Sequence, residues 1–121
     1  MNRSLAAAAI FVLLLGAACS NVSFVDEVTI VNATEYSANV DVTDSTREGW
    51  LALTTVGAQS TRTVEAVIDQ GEVWIFRFDY VGKHQEEVEV SRRELEGNDW
   101  TVEIPESFEQ RLRDLGVPPP P

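Results

Sequence analysis

The chain has one cysteine, one histidine, nine basic residues and no apolar run longer than 14 residues. Each scarcity removes a class of function. A lone cysteine, Cys19, cannot close an intramolecular disulfide. One histidine and no second thiol leave zinc or copper sites of ordinary composition without ligands. Nine Lys and Arg against twenty Asp and Glu give a formal charge of −11, the wrong sign for gripping phosphates, so no nucleic acid partner is expected. A bilayer core of about 30 Å asks for about 20 apolar helical residues, so the run Leu5–Ala18 is short for a span. Phosphate-binding glycine loops and a G-x-S-x-G elbow are also missing. No catalytic constellation can be assembled, and neither an enzyme nor a cofactor is expected.

What is present after residue 26 is a series of short β-type runs. They are Val28–Asn32, Ser37–Thr43, Trp50–Val56, Thr61–Asp69, Glu72–Val81, Glu86–Ser91 and Trp100–Ile104. Most alternate apolar and polar residues, and turn residues separate them at roughly 8–12-residue spacing. Ala38, Val40 and Val42 share one face of the second run, and Val64, Ala66 and Ile68 one face of the fourth. In the fifth, Trp74, Phe76, Phe78 and Tyr80 lie on one side and Val73, Ile75, Arg77 and Asp79 on the other. So many large aromatics on one face predict the central core strand of a two-sheet packing. The expected fold is all-β: a seven-stranded antiparallel sandwich of immunoglobulin or fibronectin type III kind, with a short C-terminal helix.

Two helical pieces interrupt the pattern. Ser91-Arg92-Arg93-Glu94 is a capping box that meets Gly97-Asn98 within a turn. Glu106–Leu115 places Phe108, Leu112 and Leu115 on one side, with Gly116 as its C-terminal cap and Pro118 as its stop. This second helix is expected to close one end of the sandwich. The terminal Pro118–Pro121 favours polyproline II.

Candidate ligands are few. His84, in the expected turn Val81-Gly82-Lys83-His84, reads as solvated surface. Asp41 and Asp44, at the junction of the second run and the loop that follows, are weak candidates for Ca²⁺ because they offer oxygen ligands there. Carboxylates in a turn need no metal, however. Loops 43–49 and 81–86 are the places where a soluble ligand could bind.

The first twenty residues, MNRSLAAAAIFVLLLGAACS, carry the most specific signal. A basic residue at Arg3, an apolar stretch and the small residues Gly16-Ala17-Ala18 describe a secretory leader. The string Leu15-Gly16-Ala17-Ala18-Cys19 resembles the lipobox of bacterial lipoproteins, with Leu15 one place further from the cysteine than usual. The resemblance covers the leader alone. It implies cleavage before Cys19, a diacylglyceryl thioether on its sulfur and an acyl group, such as palmitate, on its new amino terminus. One acyl chain holds a protein marginally, whereas several hold it stably. Lipidation also removes the liability of a free thiol in an exported protein.

The expected organisation is a signal peptide at 1–18, a lipidated end and tether at 19–26, a domain at 27–117 and a proline tail at 118–121. Loss of Arg3 with the leader takes the formal charge from −11 to −12. The expectation is a module held on the exported side of the cell membrane or outer membrane, its partners being the membrane and an envelope protein.

Overall fold

The computed structural model describes residues 22–120. Cys19, the lipobox string and the leader lie outside the described residues. The elements in order are β1 (Phe24–Asn32), β2 (Ala38–Thr43), β3 (Leu51–Val56), β4 (Ser60–Ile68), β5 (Val73–Tyr80), β6 (Lys83–Ser91), α1 (Arg92–Gly97), β7 (Thr101–Glu103) and α2 (Glu106–Asp114). They form a three-stranded sheet, β4-β1-β7, and a four-stranded sheet, β3-β2-β5-β6. The seven runs read from alternation become the seven strands, and the mostly β architecture with a short C-terminal helix is as expected.

One part of the expectation is corrected. The pairing is not antiparallel throughout, because β7 runs parallel to β1 with Thr29, Ile30 and Val31 opposite Thr101, Val102 and Glu103. A parallel neighbour requires a crossover instead of a hairpin. Here α1 and the consecutive left-handed residues Asp99 (φ 54°) and Trp100 (φ 55°) turn the chain before it joins the sheet.

The core lies between the sheets, with β5 as its spine. Trp74, Phe76 and Phe78 are fully buried, as are Val28 and Ile30 of β1 and Ala38, Val40 and Val42 of β2. Burying each large side chain contributes about 1.5–3 kcal/mol. Aromatic contacts run along the spine: Trp100 meets Trp74 edge-on at 5.4 Å, Phe108 meets Phe78 at 6.5 Å, and Tyr36 meets Tyr80 at 5.3 Å. The α1–β7 junction therefore closes one end of β5 and α2 closes the other. Leu95, Phe108 and Leu112 are the plugs, all fully buried.

Helix ends follow the local chemistry. Ser91 and Glu94 make both halves of the expected capping box. At the end of α2, the Gly116 amide donates to the Arg113 carbonyl and the Val117 amide to that of Leu112. This is a Schellman closure, which requires the left-handed Gly116 (φ 78°). The closure brings Val117 back against the core, while Leu115, which periodicity places inward, is exposed.

Strand details also depart from simple alternation. Val64 and Val67 of β4 face the core while Ala66 and Ile68 face out, because Ala66 adopts φ 54° and resets the facing. β1 changes parity at the same level, burying Val25 and then Val28. β6 starts at Lys83, directly after the two-residue turn Val81-Gly82, so His84 belongs to a strand and not a turn. β1 starts at Phe24, and the Ser23 carbonyl accepts from the Asp69 amide at 2.9 Å. The sheet thus takes up Ser23–Asp26, which the sequence had assigned to the tether.

Candidate functional site

The outer face of the four-stranded sheet carries one of the candidate ligand residues, Asp41. Register places Asp41, Arg77 and Glu87 side by side across β2, β5 and β6. Arg77 Nη2 donates to Asp41 Oδ2 at 2.9 Å, and the Trp50 ring lies over the guanidinium at 3.9 Å from its centroid. The loop before β3 folds back over this row. Arg47 pairs with Glu87, and the Thr43 hydroxyl donates to the Gly49 carbonyl. Arg77 is thereby fixed between an aromatic face and opposite charges, an arrangement worth about 0.5–2 kcal/mol from the cation–π contact. Its Nε is buried with no partner.

Beside this row lies a shallow groove, opened by the β-bulge between Val40 and Asp41 where β2 meets β3. Its polar lining is connected. Thr55 Oγ1 donates to Asn39 Oδ1 at 2.7 Å, Asn39 Nδ2 to Asp79 Oδ1 at 3.1 Å, and the Gly82 amide to the same Asp79 oxygen at 2.9 Å. The side chains are positioned and mutually satisfied, which suits recognition by hydrogen bonding more than proton transfer.

The two calcium candidates are not brought to a common site. Asp41 is taken by Arg77. Asp44 accepts from the Thr46 hydroxyl at 2.6 Å and the Thr46 amide at 3.0 Å, an Asx-turn that holds its carboxyl below the usual range. Among the described residues no group of three or more His, Cys, Asp or Glu is gathered as a metal would need.

His84 is more enclosed than a turn residue, its side chain 14% exposed against Phe108 of α2. Nε2 lies 3.5 Å from Glu86 Oε1, while the Ser107 hydroxyl donates to Glu86 Oε2. The three residue types are those of a hydrolase triad, but the order is wrong. The carboxylate bridges serine and histidine, so the imidazole has no path to the serine proton. The trio is a latch between β6 and α2.

Sequence reasoning missed two residues that organise these surfaces. Trp50 was read only as the start of a strand, although Arg77 had been placed on the outer face where a flat partner could stack on it. Asn32 was read as the end of a run. It is buried, donating to the carbonyls of Tyr36 (2.8 Å), Gly57 (3.0 Å) and Val56 (3.3 Å). Its own oxygen accepts from the Thr34 amide and hydroxyl.

Among the described residues no helix is long and apolar enough to cross a membrane. No protein-family model, no curated protein and no solved structure matches the chain.

Proposed function

We propose that the chain is an exported, lipid-anchored β-sandwich module that works by binding and not by catalysis, its partner an envelope protein. The observation that carries this reading is the placement of Cys19, the single cysteine, directly after an apolar leader and three small residues. It lies five residues before β1 begins. Acylated there, it would hold the domain close to the membrane on the exported side.

The ordered polar face around Asn39, Asp79, Arg77 and Trp50 supports binding, since its side chains are held in place by one another and no base is aimed at a nucleophile. The immunoglobulin or fibronectin type III kinship is part of the same proposal. Consecutive strands β1 and β2 lie in different sheets and pair with the consecutive strands β4 and β5, an interlocking common in such sandwiches. The parallel β7 takes the edge place beside β1.

The test is metabolic labelling of bacteria with an alkyne-bearing palmitate. The wild-type chain takes up label and fractionates with membranes, and Cys19→Ala does neither. Equal labelling of the two would overturn the anchoring. Crosslinking in intact cells, followed by pull-down, is expected to return one stoichiometric envelope protein. Recovery of an uncrosslinked monomer would count against the binding role.

A further inference from the structure

Five large apolar side chains stand exposed among the described residues, and three of them gather at one end of the three-stranded sheet. Phe24 opens β1 and is the register partner of Ile68, which closes β4. Both point outward, because their neighbours Val25 and Val67 are in the core. Val22 precedes Phe24 by two residues, the spacing that returns a side chain to the same face of an extended chain. Their exposures are 49% for Val22, 57% for Phe24 and 40% for Ile68.

We infer that this apolar end of the three-stranded sheet rests in the headgroup layer of the bilayer, docking the domain against the membrane instead of letting it swing from a tether. The inference rests on the acylation of Cys19 proposed above. Chain length makes the contact hard to avoid. Strand pairing reaches back to Ser23, four residue steps from Cys19, and four steps span at most about 14 Å. Headgroups occupy about 5–8 Å beyond the hydrocarbon on each side. An acylated Cys19 sits at the inner edge of that layer, so Val22 and Phe24 must pass through it or lie just above it.

Two further observations select a bilayer as the occupant. Three side chains make a patch far smaller than the roughly 800 Å² per partner of a stable protein contact. Glu27 and Glu65, register partners three residues further along the same strands, are exposed and, with exposed Asp26 beside them, set a polar limit to the depth.

The test uses the acylated chain, purified from bacterial membranes and reconstituted in phosphatidylcholine vesicles. Because Cys19 is modified, a new cysteine is the only free thiol, and a nitroxide can be placed through Phe24→Cys, Ile68→Cys, Val81→Cys or Leu115→Cys. All four positions are exposed, so labelling leaves the core intact. At 24 and 68 the ratio of collisions with oxygen to collisions with a water-soluble nickel chelate is expected to be several-fold higher than at 81 and 115. Equal ratios at all four sites, with Cys19 acylated, would overturn the docking and leave the anchoring intact. Dipolar broadening between labels at position 24 would assign the patch to a second copy and overturn it as well. A chain carrying no acyl group would overturn both readings.

Discussion

Buried polar side chains carry consequences out of proportion to their number. Asn32 ties the end of β1 to the Tyr36 turn and to the end of β3 through donors to three carbonyls. Removing it takes a donor from the Val56 and Gly57 carbonyls and an acceptor from the Thr34 amide, while the Tyr36 carbonyl keeps the Thr34 hydroxyl at 3.0 Å; each buried group left unsatisfied costs about 1–3 kcal/mol. Asn32→Ala is therefore expected to cost about 3 kcal/mol or more, read as a lower urea midpoint. Its importance was not legible, because Asn-Ala-Thr looks the same in any turn and only burial separates a hub from a punctuation mark. Asp69 is a second such node. Arg92 Nη1 lies 2.5 and 2.6 Å from its two oxygens, and the Gly71 amide donates to it at 2.8 Å. The Arg92 hydrogen bond is the main reason its carboxyl titrates below its ordinary value of 3.8. A lowered folded-state value means stability fully present above the unfolded value and lost as pH falls through the folded one. Asp69→Asn should cost about 1 kcal/mol at neutral pH, a figure discounted for partial exposure. Urea titrations from pH 7 to pH 2 should show that difference constant down to about pH 4 and shrinking below it.

Turns and helix ends show where sequence signals succeed and where they stop. The β5–β6 hairpin turns on Val81 (φ 47°) and Gly82 (φ 74°), the two left-handed positions of a type I′ turn. Glycine suits its place, but a β-branched residue does not, and αL costs an ordinary L-residue about 1–2 kcal/mol. Val81→Asn is expected to stabilise by about 1 kcal/mol, read in a thermal melt as a rise of about 4–8 °C. The sequence placed a turn here but made it two residues too long, since Lys83 and His84 are polar enough to pass for loop. β4 failed differently. Its period-2 pattern was real, yet the left-handed Ala66 rotates the remainder of the strand, so Val67 is buried and Ile68 is not. An alanine gives no warning of positive φ. The capping box and Gly116 closure were legible because each depends on specific residues at fixed offsets, and both formed.

For the whole molecule, charge is the dominant collective property. Twenty carboxylates against nine basic groups repel one another in the folded state, and pairs such as Glu27 opposite Glu65 bring like charges together. The Debye length falls from about 30 Å at 0.01 M salt to about 10 Å at 0.1 M. Urea unfolding, which adds no ions, should therefore show a higher midpoint as sodium chloride is raised across that range. An unchanged or falling midpoint would mean that the ion pairs outweigh the repulsion. The seven strands and the core aromatics of β5 were readable because burial imposes period 2 wherever one face meets the core. The parallel partnership of β1 and β7 was not, because pairing between residues some seventy positions apart leaves no local trace. That partnership has a mechanical side. With β4 on one flank and β7 on the other, β1 is the central strand of its sheet, and the chain toward Cys19 leaves from its first residues. Tension applied at that end and directed along the strand loads both flanking ladders of hydrogen bonds in shear at once, where an edge strand would be peeled one bond at a time.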